Sequence, residues 1–294
     1  RRGRRRERER GRADMREVST ASITGAVARL CIEANTRLSP DAEGALRAAY
    51  EAEPWPGARG ILADLCANLD AARDTGLPIC QDTGLVTVFA ELGQEVHITG
   101  GDFESAVQEG VRRGYAEGYL RKSVVADPLR RVNTGDNTPA SIAVRIVPGD
   151  RIRLTVSPKG AGSENMCAVR MLTPAAGEQG VRDFVLETVR SAGGNPCPPV
   201  VVGVGIGGGF DSVARLARRA LLRRVDSANP DGYYAAMERE LLAAINATGI
   251  GPQGLGGAAT ALAVLIEAAP THIAMLPAAV CICCHADRHA EEVL

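Results

Sequence analysis

Three cysteines stand where regular structure must break. Cys80 follows Pro-Ile in "PICQDTG", Cys197 lies among prolines in "GGNPCPPV", and Cys284 closes an apolar run just before "HADRH". Proline removes a backbone donor and is disfavoured inside helices and central strands, so such thiols are presented by loops. Thiols at three element ends can converge on one metal centre. The chain has no CxxC pair of the kind that builds structural zinc sites, and spacing alone does not separate a shared centre from three unrelated cysteines. Three thiolates on an iron–sulfur cubane would leave one iron without a protein ligand, free to act as a Lewis acid on a substrate oxygen. Asp82 would then sit beside that centre as an acid or base, and Gln81 could bond a substrate oxygen. The plainer alternative for Asp82 is a turn carboxylate that bonds its own backbone.

The other five cysteines have ordinary readings. Cys31, Cys66 and Cys167 lie in apolar patterns and read as small buried hydrophobes. Cys281 and Cys283 belong to "AVCICC", an apolar strand. Two glycine runs could approach a ligand. "SPKGAGSEN" is not a Walker sequence, because Lys159 precedes the glycines, yet a lysine beside open amides suits an anion such as a carboxylate. "GVGIGGG" lacks the spacing of a dinucleotide fingerprint, and the "VDSANPDG" about 20 residues on makes a poor ribose-binding strand end, so a tight strand-to-helix turn, or a loop passing close to some other ligand, is the better reading.

The elements that must carry these residues follow from periodicity. Helical text begins just after Met15, with Ser19 or Ser22 as cap and Ile23, Val27, Leu30 and Ala34 on one face. A second helical stretch covers "DAEGALRAAYEAE", and a third carries Ile61, Leu62, Leu65 and Leu69 up to Gly76 and Pro78. "LVTVFAEL" and "EVHIT" read as strands. Asp102 caps a helix through Tyr119. "SIAVRIV" and "RIRLTVS" flank "PGD" and predict a hairpin. Helices follow over 178–190, after the "GVGIGGG" strand, and over 233–247. These elements predict an α+β (mixed α/β) fold: a single catalytic domain with a helical N-terminal part and a central mixed or antiparallel sheet.

Composition bounds the rest. The 294 residues are 45% hydrophobic and 23% charged, with a formal net charge of −1, as expected for a globular chain able to bury a core. No run approaches the roughly 20 apolar residues of a membrane span. No signal-peptide pattern opens the chain, and eight cysteines without one argue against a disulfide framework. A cytoplasmic protein without membrane or nucleic-acid partners is expected. The arginine-rich residues 1–14 are read as a disordered or artefactual tail, with the catalytic domain over 15–294.

Taken together, "PICQDTG", "YLRKSVVADPLRRVNTGDNTPA", "SPKGAGSENMCAVRML", "CPPVVVGVGIGGGFDSVARLARRALLRR", "GIGPQGLGG" and "PTHIAMLPAAVCICCHADRHA" resemble the class I (iron–sulfur) fumarate hydratase family. The likeness is to its α subunit or N-terminal catalytic domain, a form shared with L(+)-tartrate dehydratase. The resemblance implies a [4Fe-4S] cluster held by Cys80, Cys197 and Cys284. It also implies substrate contacts from Gln81, Asp82, Arg121, the loop around Gly160 and Gly162, and His272, with Asp82 and His272 catalytic. Arg121 offers a planar fork for a carboxylate, and His272 can move a proton near neutral pH. Without the resemblance, Arg121 reads as a helix-end surface charge and His272 as a turn residue.

The activity implied is reversible hydration of fumarate to (S)-malate. L(+)-tartrate dehydration is the alternative within the family, and a non-catalytic iron–sulfur redox-sensing subunit the alternative outside it. The chain matches the α component only. A β subunit completing the site, association between α chains and a small dicarboxylate substrate are therefore expected.

Overall fold

Ser19 ends one element and begins the next. Its hydroxyl accepts the Ser22 N–H at 3.1 Å and caps helix α1 (Thr20–Thr36), where Ile23, Val27, Leu30 and Ala34 are all buried. The four preceding residues, expected to be helical, form strand β1 (Arg16–Ser19), paired in parallel with β3 (Val96–Thr99). Tertiary pairing overrides the local pattern there. The computed structural model describes residues 15–294, and the expectation for residues 1–14 falls outside the described residues.

The α+β class holds. The described residues gather into two compact units, one formed by residues 15–37 with Cys80–Pro158 and Arg288–Leu294, the other by Leu38–Ile79 and Lys159–Asp287. Among the described residues no helix is long and apolar enough to cross a membrane.

The first unit is built on a four-stranded sheet ordered β10-β5-β2-β4. These strands are β10 (Ala290–Val293), β5 (Ile152–Lys159, its last residue opening the second unit), β2 (Leu85–Gly93) and β4 (Ser141–Val147). The expected hairpin between "SIAVRIV" and "RIRLTVS" does not form. β2 lies between the two, and β4 pairs with it in parallel from Thr87↔Ser141 to Gly93↔Val147. The "PGD" turn instead passes over the end of β2, where Gly93 N–H bonds Arg151 O and Gln94 N–H bonds Val147 O, both at 2.8 Å. Burial explains the choice: β5 is mostly buried, as an inner strand must be, whereas β4 is largely exposed, as an edge can be. Helix α4 (Phe103–Glu117), capped by Asp102 through the Ser105 N–H at 2.8 Å, shares a core with α1 and this sheet.

The second unit holds α2 (Pro40–Ala52), α3 (Pro56–Thr75) and a mixed sheet ordered β6-β9-β7-β8. Its strands are β6 (Ala168–Leu172), β7 (Val200–Gly208), β8 (Ala261–Thr271) and β9 (Leu276–Cys283). β7 runs parallel to β8 and antiparallel to β9, and β9 runs antiparallel to β6. The single turn α5 (Ala161–Glu164) and helices α6 (Gly177–Ala192), α7 (Phe210–Ala220) and α8 (Gly232–Asn246) complete the unit. β7 is buried along almost its whole length, which accounts for its unbroken apolar run. Its glycines serve packing. A Cβ on Gly203 would meet Ala217 O at 2.2 Å, and one on Gly205 would meet Val213 O at 2.3 Å, so only glycine lets α7 lie this close.

Candidate active site

In the first unit, Cys80 to Gly84 form an extended loop entering β2. Cys80 is half-buried, Gln81 exposed and Asp82 half-buried. The Asp82 N–H donates to Cys80 Sγ at 3.4 Å, and Asp82 Oδ1 accepts the Gly84 N–H at 3.1 Å. The self-bonding turn anticipated as the plain alternative therefore exists, and it also ties the carboxylate to the thiol.

Four buried polar side chains hold this loop. Tyr115, fully buried, donates its hydroxyl to Thr83 O at 2.6 Å and also reaches Gly84 O at 3.1 Å. Burial pushes the phenol well above its ordinary pKa, so it remains a donor. Asn137 donates to Gly84 O at 3.2 Å while accepting the Ser123 N–H at 2.7 Å. Arg288, 2% exposed, donates from Nη1 to Asp82 O at 2.9 Å and to the buried Asn35 Oδ1 at 3.0 Å. Thr83 Oγ1 donates to Arg121 O at 2.9 Å. That bond fixes the Arg121 backbone beside the loop, and Arg121 is exposed. The sequence reading missed Tyr115, Asn137, Asn35 and Arg288. Their signal was a polar residue inside an apolar or loop pattern, which reads the same way when it is merely exposed.

The second unit gathers Cys197 and Cys284 at one end of its sheet, and the expected glycine loop is there the start of α5, with Gly160 as its cap residue and Gly162 inside the turn. Cys197 precedes β7 and Cys284 follows β9, and the register Val201↔Cys283 brings those termini together. The carbonyl of Cys197 accepts from the His285 N–H at 3.4 Å and lies 3.1 Å from His285 Nδ1. Cys197 itself has φ +56°, exposed on a tight loop. Gly162 lies against the same loop, since a Cβ there would come 3.4 Å from Asn195 O. The "GIGPQGLGG" segment braces it: the Gln253 N–H donates to Pro198 O at 2.8 Å, and a Cβ on Gly254 would strike Gly194 Cα at 2.4 Å. Glu53, 3% exposed, locks that segment by accepting the Ala258 and Ala259 N–H groups.

His272 is elsewhere in this unit. It follows Thr271, which pairs with Gly208 at the far end of β7. Nine residues of strand separate the two ends, roughly 26 Å at the usual rise. His272 is exposed, and its Nδ1 accepts the Ala274 N–H at 3.1 Å.

Cys31 and Cys66 are buried, as their patterns indicated, and burial pushes the Cys31 thiol up to about 12. Cys281 and Cys283 are buried strand residues. Cys167 departs from its reading as a buried hydrophobe: it is half-buried, with its Sγ 3.6 Å from Cys281 Sγ. Lys159 departs too. It is 4% exposed and paired with Glu164 at 2.7 Å, so its ammonium is satisfied internally instead of facing an anion. Glu164, Cys167 and Cys281 place ligand-type atoms within 4.8 Å of one another, consistent with a metal site, but the lysine already supplies a cation there.

Similarity along nearly the whole chain places this protein in the hydro-lyase class. The chain belongs to the fumarate hydratase (Fumerase) family, which it matches over residues 24–293. It is 42% identical over 274 residues to a Methanocaldococcus jannaschii protein provisionally named L(+)-tartrate dehydratase subunit alpha, covering 91% of this chain and 96% of that one. It is 32% identical over 277 residues to the L(+)-tartrate dehydratase subunit alpha of Escherichia coli strain UTI89, covering 93% and 91%. The strain K12 protein of the same name is 31% identical over 277 residues.

Proposed function

We propose that the chain is the α subunit of an iron–sulfur L(+)-tartrate dehydratase. The observation carrying this reading is near-full-length similarity to proteins that bear that subunit name. Hydration of fumarate, implied by the motif resemblance, becomes the second reading, favoured by the family match. Both reactions move water across the central carbons of a four-carbon dicarboxylate. Loss of water from tartrate leaves an enol that tautomerises to oxaloacetate.

Cys80, Cys197 and Cys284 are proposed to hold a [4Fe-4S] cluster. The donor set suits it: three loop thiols, two of them gathered at one sheet end by the Cys197–His285 contact. When bound, the cluster supplies an iron with an open position that acts as a Lewis acid toward substrate oxygens. The chain's own residues bind and orient. Arg121 receives one carboxylate on its guanidinium fork, the Gly160–Gly162 amides and Gln81 bond substrate oxygens, and Asp82 moves the proton at the carbon next to the one losing hydroxide. The turn bond from Gly84 holds that carboxylate in orientation. His272 lies at the other end of its own sheet from Cys197 and Cys284. Its catalytic role therefore requires that a second α chain supply it. A β subunit completes the site, so the α chain alone is inactive.

The test is anaerobic reconstitution with iron and sulfide, with and without β subunit, assaying L(+)-tartrate and fumarate. The expected result is a kcat/KM for tartrate at least about tenfold above that for fumarate, with no turnover by α alone. A preference for fumarate reverses the order of the two readings. A cluster whose spectrum ignores both substrates would mean a redox sensor. Serine at Cys80, Cys197 or Cys284 should abolish iron uptake, whereas Cys281→Ser and Cys283→Ser should not.

A further inference from the structure

Cys167 and Cys281 lie outside the residues assigned to the reaction, yet their sulfurs meet in the second unit, 3.6 Å apart. Cys167 stands one residue before β6, an edge strand, and Cys281 lies inside β9. The β6–β9 register pairs Ala168 with Val280. Extending it by one residue sets Cys167 directly opposite Cys281. Cross-strand neighbours in antiparallel pairs have Cα atoms about 4.5–5.5 Å apart, inside the range a disulfide spans. The sulfurs are 3.6 Å apart as thiols, so a small side-chain rotation brings them to bonding distance.

The surroundings favour a thiolate. Lys159 Nζ is 3.5 Å from Cys167 Sγ and 2.7 Å from Glu164 Oε2. The ammonium is almost wholly buried, and its charge is screened little by water. Burial by itself would lower the lysine, but Cys281, Cys283, Cys167 and Glu164 around it raise it above its ordinary value. The hydrogen bond from Cys281 and then the lysine charge draw the Cys167 thiol below its usual range, against burial and the Glu164 carboxylate, which raise it, while the same bond and burial drive Cys281 up. One sulfur is therefore a partly exposed nucleophile at a sheet edge, and the other a protonated, buried resolving thiol.

We propose that Cys167 and Cys281 form a thiol–disulfide exchange site that takes low-molecular-weight disulfides and closes to an intramolecular bond. The Cys167 thiolate attacks one sulfur of the small disulfide, and the other sulfur leaves as a thiolate. Cys281 then gives up its proton to solvent and attacks Cys167 sulfur, expelling the second small thiolate. The protein loses two electrons, which reduce one small disulfide to two thiols. Closure fastens the link between α5 and β6 to β9 and removes the thiolate from Lys159.

The experiment treats the reduced full chain with glutathione disulfide and follows it by peptide mapping and iodoacetamide trapping. The expected result is a Cys167–Cys281 bond as the first product, reversed by dithiothreitol. In Cys281→Ala the reaction should stop at one glutathione adduct on Cys167. Lys159→Met should move the pH midpoint of Cys167 alkylation upward and slow alkylation at neutral pH several-fold, with Lys159→Arg restoring both. Three results overturn the proposal: Cys167 staying free while other thiols oxidise, Cys167 pairing first with a different cysteine, or an adduct on Cys167 that never closes. Stoichiometric Zn²⁺ uptake that protects both thiols and is lost in Cys167→Ser would also overturn it, in favour of a metal site. The wild-type mapping decides the matter even if a variant fails to fold.

Discussion

Two loops present candidate ligands, and they are held in different ways. The Cys80–Gly84 loop is pinned by side chains: Tyr115, Asn137 and Arg288 each bond one or two of its carbonyls. The Asn195–Pro199 loop is pinned largely by backbone against backbone, with Gly194 pressed on Gly254 and the Gln253 N–H bonded to Pro198 O, and the Gln253 and His285 side chains add one contact each. A loop held by side chains can be loosened one bond at a time. A loop held by the absence of Cβ atoms fails at once when one is added.

That contrast sets the order of expected effects. Gly251→Ala should do the most damage, because φ is +68° and the new Cβ would lie 2.1 Å from Gly256 C. A loss of at least about 3 kcal/mol is expected from strain and overpacking, read as a lower urea midpoint; a midpoint within error of wild type would break the comparison. Arg288→Met comes next. It leaves Asn35 Oδ1 and Asp82 O without this donor inside the protein, at a cost of about 3 kcal/mol. Turnover by the αβ enzyme should fall further than stability alone explains, since the carbonyl freed belongs to the proposed acid–base residue. Tyr115→Phe should cost about 1–2 kcal/mol by denaturant titration, because only one hydroxyl is removed from two carbonyls.

The smallest effect concerns pH. Burial would raise Asp136, but the Thr138 hydroxyl and N–H and the Arg112 guanidinium draw it down to about 2. A carboxylate depressed on folding contributes stability above its unfolded pKa, near 3.9, and loses it as pH falls through the folded value. Asp136→Asn, next to Asn137, should therefore cost about 1 kcal/mol at pH 7 and almost nothing near pH 2, allowing for its partial exposure. Equal losses at both pH values would show that the residue acts through packing instead of charge.

Much of the fold was legible locally. The Ser19 and Asp102 caps, the stop at Gly76 and the helices after Gly177 and Gly209 follow from short-range chemistry that a window of residues contains. The hairpin was not, because "PGD" permits a turn whichever strand lies between its arms; β2 was inserted from some 50 residues upstream. The site divides the same way. Proline and glycine neighbours marked Cys80, Cys197, Cys284, Asp82 and the glycine run as candidates, and Arg121 entered only through the family resemblance. Motifs could not say that His272 sits at the other end of the sheet from Cys197 and Cys284, nor that Lys159 answers Glu164 rather than a ligand.

The sequence by itself determined which residues could do chemistry, because reactive types beside prolines and glycines mark presented side chains locally, and the resemblance of its long motifs to one family gave the class of chemistry. Only the tertiary structure decided which of them meet. Strand register brought Cys197 to Cys284 and Cys167 to Cys281, and a register is a property of two distant segments that neither encodes alone.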